Sequence, residues 1–115
     1  MDMSRWVVVV DDDVINLRIA RNLLKEEDMK VGTAKSGKDF LNFMQKNQPD
    51  LVLLDIRMPE MDGFEVYEKL REFEQTEGRP TTPVIFLTAE EDGSVETRCL
   101  ELGAADFVHK PFHKE

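Results

Sequence analysis

The chain has 115 residues, enough for one domain that buries roughly two-thirds of its unfolded surface around a single core. A net charge of −9 argues against a nucleic-acid-binding surface, which would be basic, but suits a metal cation or a basic partner face. No apolar run reaches the ~18 residues of a membrane span, and a single cysteine excludes an intramolecular disulfide. We therefore expect a cytoplasmic domain that contacts neither membrane nor nucleic acid directly, with Cys99 buried as a small apolar residue in a helix.

The N-terminal part begins with an apolar, β-branched run at residues 6–10. Such a run predicts a strand buried on both faces, as in parallel sheets. Three aspartates follow it, and residues 14–27 then have the spacing of a helix, with Ile15, Ile19, Leu23 and Leu24 in its apolar stripe. The last of the three aspartates, Asp13, is expected to be the N-cap of this helix.

Further segments of both kinds alternate along the chain. They are strands at 29–34, 51–55, 83–87 and 106–109, and helices at about 36–44, 64–75 and 94–102. This alternation predicts an α/β fold, a doubly wound, flavodoxin-like sheet of five parallel strands with right-handed crossovers. Periodicity does not establish the strand order, so we adopt 2-1-3-4-5 as the common five-strand solution. No helical pattern follows the last strand, so we expect the final helix to be absent or truncated and residues 1–115 to be a single domain, the N-terminal part of a longer chain.

Polar side chains follow the strands at their carboxyl ends. They are Asp11 and Asp12 after the first strand, Asp55 after the third, Thr88 after the fourth and Lys110 after the fifth. In the adopted order these ends meet at one edge of the sheet, near the switch between strands one and three. The sequence therefore predicts a polar site with Asp55 at its middle, presented on a stiff central strand.

Three carboxylates at one edge repel one another. At ~4 Å and an effective dielectric near 20, each pair costs about 4 kcal/mol, and one ammonium from Lys110 offsets only part of this. A partly hydrated Mg²⁺ bound by carboxylate oxygens relieves the repulsion better. Because such a metal takes an anionic ligand at its open positions, a phosphoryl group fits, with Thr88 and Lys110 stabilising its oxygens. Asp55 is then the expected nucleophile.

Four motifs that occur together carry a family resemblance. They are Val9-Val10-Asp11-Asp12-Asp13, Leu54-Asp55-Ile56-Arg57-Met58-Pro59-Glu60-Met61-Asp62-Gly63, the segment 84–89 that ends in Thr88-Ala89, and Lys110-Pro111-Phe112. In this order they resemble the receiver domain of two-component response regulators, and of chemotaxis receivers among them. The resemblance covers essentially the whole chain, and its joint pattern is highly specific although each motif alone is weak.

The resemblance implies a role for each acidic residue. Asp55 is expected to be the phosphoacceptor, which receives a phosphoryl group from the phosphohistidine of a histidine kinase or a histidine phosphotransfer protein. Asp12 is expected to bind Mg²⁺ (or Mn²⁺) directly and Asp11 mostly through water, with the backbone carbonyl of Arg57 and a carboxylate oxygen of Asp55 among the ligands. The chain would then be a magnesium-binding phosphoprotein that controls an output domain or a downstream protein, with a homodimer as a further option.

Other residues acquire switching and tuning roles from the same resemblance. Lys110 and the backbone of Ala89 would bind the phosphoryl oxygens, and Thr88 would swing towards them after phosphorylation, followed by the ring of Phe107. Family members often have a tyrosine at the position of Phe107, so a hydroxyl-dependent readout is not expected here. Arg57 and Glu90 occupy the two positions that tune dephosphorylation, and we expect them to approach each other and hinder the attacking water.

Three other functions are compatible with parts of the pattern. One is a pseudo-receiver, a protein-binding module of the same fold that is never phosphorylated. Another is a phosphatase with an aspartate nucleophile, but such enzymes need a second aspartate two residues later, where Arg57 stands, and a cap over the substrate. A flavodoxin-like cofactor binder is disfavoured, because three aspartates after the first strand would repel its phosphate. We expect no enzyme activity beyond self-phosphorylation and autodephosphorylation.

Overall fold

The computed structural model describes residues 5–88 and 93–109, and for Gly93, Ser94 and His109 it describes the backbone alone. Strands and helices alternate in the order β1 (Trp6–Val10), α1 (Val14–Glu26), β2 (Lys30–Ala34), α2 (Gly37–Met44), β3 (Leu51–Asp55), α3 (Gly63–Glu77), β4 (Val84–Thr88), α4 (Gly93–Glu101) and β5 (Asp106–His109). Within these ranges, none of the helices has the length and apolar character that crossing a membrane requires.

The five strands form one parallel sheet with the order β2-β1-β3-β4-β5. The predicted doubly wound fold and its strand order are therefore confirmed. Buried side chains of α2, α3 and α4 pack on one face of the sheet, whereas α1 packs on the other. The helix after β1 therefore lies on one face of the sheet, and the helix after β3 lies on the other. The gap between these two neighbouring strands is where open α/β sheets form their binding crevice.

Strand β1 is the centre of the core. Val8 and Val10 belong to the larger apolar cluster, and Val7 and Val9 belong to the cluster under α1. All four valines are almost completely inaccessible to solvent. Because successive side chains of a strand point to opposite faces, a run with no polar residue is buried on both sides, as the sequence predicted.

The buried face of α1 differs from the predicted apolar stripe. Ile15 is 69% exposed and Ile19 is 38% exposed, whereas Leu17 and Ala20 are buried against the sheet. Two residues along a helix correspond to a rotation of about 200°, so a face centred on Leu17 points Ile15 almost directly away from the sheet. The prediction that Ile15 and Ile19 form the core stripe is therefore wrong, and both side chains lie on the protein surface.

Helix α3 continues two residues beyond the predicted end near Gln75. Its C-cap is Gly78, which has a φ of +67° and donates its N–H to the carbonyl of Gln75. A left-handed residue after the last turn is a common helix stop, and glycine adopts it without steric cost. The segment that leads to β4 therefore begins only after Glu77.

Cys99 on α4 is fully buried, as expected for a small apolar residue. Burial raises the pKa of its thiol, because the thiolate would lose hydration in the core.

Buried Glu74 on α3 connects this helix to the segment that leads into β4. Its carboxylate accepts a hydrogen bond from the backbone N–H of Thr82 at 2.8 Å and pairs with the Arg71 guanidinium at 2.7 Å. A buried carboxylate is costly unless it is paired in this way. The contact holds the start of β4 against α3, and so supports the strand that ends in Thr88.

Gly63 allows α3 to begin directly against the end of β3. Its N–H donates to the carbonyl of Ile56 at 2.7 Å. A Cβ atom at this position would lie 2.8 Å from the Cα of Ile56 and would overlap the backbone carbonyl of Asp55. The contacted atoms are backbone atoms that cannot rotate away, so only glycine fits beside the strand end.

We expect Gly63→Ala to lower the free energy of unfolding by about 2 kcal/mol, because the added methyl group forces the start of α3 away from β3. Urea denaturation followed by circular dichroism measures the loss. Gly32→Ala is the matched control, since its Cβ would lie 3.5 Å from the nearest side-chain atom, an ordinary contact. Equal stability losses for the two variants would contradict this account of Gly63.

Candidate functional site

Three carboxylates meet at the carboxyl edge of the sheet. Asp11, Asp12 and Asp55 each offer one oxygen atom, and these oxygens lie within 4.8 Å of one another. We call these three residues the acid cluster. The convergence predicted from the strand ends is thus present in the structure for these carboxylates.

The pairing of β1 with β3 brings two members of the acid cluster together. Val10 is the register partner of Leu54, so Asp11 and Asp55 occupy the next position on each strand. Asp11 is 0% exposed and Asp55 is 2% exposed, whereas Asp12 is open to solvent. The cluster therefore has a buried floor and one accessible member at its mouth.

Backbone hydrogen bonds orient the first part of the acid cluster. The Asp13 N–H donates to Oδ1 of Asp11 at 3.0 Å, and the Asp11 N–H donates to the carbonyl of Ala34 at 3.1 Å. The carboxylate of Asp13 turns the other way and accepts from the N–H groups of Ile15 and Asn16, so it is the N-cap of α1, as predicted. The positive end of the α1 dipole therefore lies beside the acids and partly offsets their charge.

Thr88 lies at the same edge, on the strand that pairs with β3. Asp55 is the register partner of Leu87, and the Ile56 N–H donates to the carbonyl of Leu87 at 3.1 Å. Thr88 is the residue after Leu87 and is buried. A hydroxyl group therefore follows the strand position opposite Asp55.

Phe107 and Arg57 are the other predicted site residues that the structure describes. Phe107 on β5 pairs with Phe86 and packs, partly buried, against the larger core cluster. Arg57 is exposed in the loop between β3 and α3, where it lines a cavity of about 550 Å³ together with Arg98 of α4. The guanidinium of Arg98 lies 4.2 Å from the ring centre of Phe64, so α4 contacts the first turn of α3 beside this loop.

Three predicted site residues lie outside the described part of the chain. They are Ala89, Glu90 and Lys110. Their roles at the phosphoryl group stay predictions.

The donor atoms of the acid cluster fit a hard divalent cation. All three are carboxylate oxygens, which Mg²⁺ and Mn²⁺ prefer, and thiol or imidazole donors are absent from this cluster. Two of the carboxylates are buried, where the repulsion between them is least screened by water. A cation at this position would neutralise charge that the fold cannot disperse into solvent.

The sequence analysis missed the surface beside the acid cluster. Val14 and Ile15, in the first turn of α1, are 54% and 69% exposed. No sequence signal gave this exposure, because the choice between a stripe through the isoleucines and one through Leu17 and Ala20 depends on packing against the sheet. Exposed apolar side chains therefore begin α1, two residues after Asp12.

Sheet order and acid cluster together define a flavodoxin-like domain with an acidic site at its topological switch point. A model of the response regulator receiver domain matches residues 7–115. The chain is 39% identical over 112 residues to the response regulator PleD of Caulobacter vibrioides, an alignment that covers 95% of this chain and 23% of PleD.

Solved structures are similar over nearly the whole chain. The chemotaxis protein CheY4 of Vibrio cholerae has a TM-score of 0.84 and 29% identity, covering 96% of this chain and 89% of that chain. A second similar chain belongs to the co-crystal structure of the Saccharomyces cerevisiae histidine phosphotransfer signaling protein Ypd1 and the receiver domain of its downstream response regulator Ssk1. It has a TM-score of 0.87 and 25% identity, covering 96% of this chain and 81% of that chain.

This chain belongs to the response regulator receiver domain family. Receiver domains are signalling domains of two-component systems. The chain spans about a quarter of the length of the curated relative PleD.

We expect Mg²⁺ to raise the free energy of unfolding of the wild type, by about 2.7 kcal/mol at a concentration 100 times the dissociation constant. Asp12→Asn should abolish this response and stabilise the metal-free protein by on the order of 1 kcal/mol, because it removes one repelling charge. Urea denaturation with and without Mg²⁺ measures both effects.

Asp13→Asn is the matched control for this experiment. It removes a neighbouring charge, yet asparagine caps a helix as well as aspartate does, and Asp13 is outside the acid cluster. Its response to Mg²⁺ should equal that of the wild type. A wild type that ignores Mg²⁺, or an Asp12→Asn variant that keeps the response, would disprove the proposed metal site.

Proposed function

We propose that this chain is a phosphoacceptor domain that takes a phosphoryl group onto Asp55 from the phosphohistidine of a histidine kinase or a histidine phosphotransfer protein. The observation that carries the proposal is the buried carboxylate of Asp55 at the end of a central strand, within 4.8 Å of two further carboxylates. Membership of the receiver family supports it. The yeast relative that was solved with a phosphotransfer protein supports the choice of donor.

In this reaction an oxygen of the Asp55 carboxylate attacks the phosphorus of the phosphoimidazole. The new P–O bond forms as the P–N bond breaks, and the imidazole nitrogen leaves with the bonding electrons and takes up a proton. The product is an acyl phosphate on Asp55. The end of β3 is held by pairing with β1 and β4, so the attacking oxygen stays in place. Such positioning is most of the protein's contribution to phosphoryl transfer.

The neighbouring residues would stabilise the negative charge of the phosphoryl oxygens. Mg²⁺ or Mn²⁺ would be held by Asp12, by Asp55, by the Arg57 carbonyl and, through water, by Asp11. When bound, the cation neutralises charge on the phosphoryl oxygens. The Thr88 hydroxyl would donate a hydrogen bond to one oxygen, and Lys110 and the Ala89 N–H are proposed for the others. Each donor is strongest towards a charged acceptor in a site that excludes water.

Phosphorylation would be reported through Thr88 and Phe107. Thr88 ends β4, and Phe107 belongs to the adjacent strand β5. We propose that Thr88 moves towards the phosphoryl group and that the partly buried ring of Phe107 follows into the vacated space. The changed surface would control an output domain or a downstream protein. Homodimerisation and the cytoplasmic location stay predictions.

The phosphodonor protein would dock on the exposed apolar residues of α1. Val14, Ile15 and Ile19 are all substantially exposed, and the first of them follows Asp12 by two residues. Apolar side chains next to a polar catalytic mouth are typical of a transient protein contact. A small-molecule phosphatase would have no use for this surface, and its usual general acid is replaced by Arg57.

A pseudo-receiver differs from this proposal only in chemistry, so phosphorylation itself must be tested. We expect incubation with Mg²⁺ and a small phosphodonor, such as acetyl phosphate, to add one phosphoryl group to the wild type. Intact-mass spectrometry measures the adduct. Asp55→Asn should give none, because an amide oxygen is a far weaker nucleophile than a carboxylate.

Asp62→Asn serves as the control for Asp55→Asn. Asp62 lies in the loop that follows Asp55. Its carboxylate accepts a hydrogen bond from the Glu65 N–H as the N-cap of α3, a role that asparagine can fill. This variant should be phosphorylated like the wild type. An unmodified wild type, or an adduct that survives Asp55→Asn, would leave the pseudo-receiver as the better description.

We also expect Arg57→Ala and Glu90→Ala to shorten the lifetime of the acyl phosphate. If these side chains hinder the attacking water, their removal opens its path, and each should speed dephosphorylation severalfold. The decay of phosphorylated protein after removal of the donor measures the rate. Glu60→Ala, in the same exposed loop as Arg57, is the control and should leave the lifetime unchanged. Unchanged lifetimes in both test variants would refute the tuning role.

A further inference from the structure

A second concave surface lies on the side of the domain, and none of the three acid-cluster residues lines it. It is a groove of about 690 Å³ between α1 and α2, which we call the edge groove. Leu17 of α1 and Phe43 of α2 contribute apolar surface to it, and Thr33 and Ala34 of β2 lie between the two helices. The groove thus wraps around the outer strand of the sheet, with α1 on one face and α2 on the other.

The edge groove has a positive charge in a strongly negative protein. Its cations are Arg18 and Arg21 on α1, Lys35 after β2 and Lys46 after α2, and its one carboxylate is Asp39. The chain as a whole carries a net charge of −9. Within the part of the chain that the structure describes, none of the four cations is paired with a carboxylate. The groove therefore has cationic groups available to an outside ligand.

The floor of the edge groove is an unpaired strand edge. Strand β2 pairs with β1 alone among the described strands. The Lys30 N–H donates to Arg5 and the Ala34 carbonyl accepts from Asp11, so these even-numbered residues turn their backbone groups towards β1. Backbone groups of a strand alternate in direction, so the N–H and C=O of Val31 and Thr33 point to the open side. Thr33 is the one of these two that lines the groove.

We propose that the edge groove binds an extended, acidic segment of a partner protein, which adds beside β2 as a sixth strand. The open backbone groups at Thr33 would pair with the backbone of the segment, as in other cases of strand addition. Successive side chains of the added strand would point to opposite faces. Glutamates or aspartates on one face would meet Arg18 and Arg21, and those on the other would meet Lys46.

Charge complementarity selects this occupant over a second copy of the chain. Edge-to-edge pairing of two β2 strands would bring the four cations of one groove against those of the other, which is unfavourable. Cations near a strand edge also protect against unwanted pairing, so the arginines and lysines could be guards rather than ligand contacts. Cations that only protect the edge would disfavour pairing with any strand, whereas a binding groove would favour acidic ones. The affinity for an acidic peptide distinguishes the two roles.

The probe is a capped six-residue peptide of glutamate and valine, with glutamates on both faces of the extended chain. Trp6 is the only tryptophan and stacks edge-on against Phe43, at 5.5 Å between ring centres, so its fluorescence reports on the groove. We expect saturable binding that weakens as salt is added. The largest changes in amide NMR chemical shift on addition of the peptide should be those of Val31 and Thr33.

Two peptide controls separate edge pairing from charge attraction. The same peptide with lysine in place of glutamate should not bind. The glutamate peptide with N-methylated backbone amides keeps its charge but cannot donate to the strand edge, and we expect it to bind about tenfold more weakly or not at all.

Two protein variants test the cations. Arg21→Glu and Lys46→Glu, each reversing one charge in the groove, should weaken binding by about five- to tenfold. Lys69→Glu reverses an exposed charge on α3, outside the groove, and should leave binding unchanged. None of these residues belongs to the acid cluster, so the test does not depend on phosphorylation.

Several results would overturn the proposal. If no acidic peptide binds, or if the groove reversals bind as tightly as the wild type, the cations only guard the edge. Equal affinity for the N-methylated peptide would show attraction without strand addition. If Arg21→Glu or Lys46→Glu instead makes the chain dimerise in sedimentation experiments, the open edge is a self-pairing surface that the cations block.

Discussion

The parallel pairing of β1 with β3 is the constraint on which the rest of the structure depends. It carries Asp11 and Asp55 to adjacent positions at the edge of the sheet, where both carboxylates are buried. Left to themselves, two carboxylates of like charge would move apart. They stay together because both strands are held by apolar side chains on each face, and the core is too rigid to relieve a repulsion at its rim.

In the loops at the carboxyl edge, separate acidic residues cap the helices. Asp13 and Asp62 use their side chains to cap α1 and α3, so the helix starts are satisfied without drawing on the acid cluster. Gly63 lets α3 start in contact with the backbone of Asp55. One set of acidic residues therefore stabilises the helix starts, and the other, a few positions away, forms the acid cluster.

Two surfaces around β1 and α1 have opposite character. The acid cluster is negative and suited to a metal and a phosphoryl group, whereas the edge groove carries Arg18, Arg21 and Lys46. They lie close together because α1 begins directly after the acids and then runs beside the outer strand. A partner with an acidic extended segment would therefore be attracted to the groove and repelled by the acid cluster, which favours one orientation over the other.

Much of this arrangement followed from the sequence alone. Uninterrupted apolar runs such as residues 6–10 occur in strands buried on both faces, so the parallel sheet and the strand ends at Asp11, Asp55 and Thr88 could be predicted from local pattern. The strand order could only be adopted, because pairing between distant strands leaves no trace in local periodicity. Only the tertiary structure showed that Leu17, rather than Ile15, faces the sheet, since helix rotation is determined by packing and many apolar residues remain exposed. The edge groove likewise has no sequence signature, because its cations come from separate elements that the fold alone brings around one open strand.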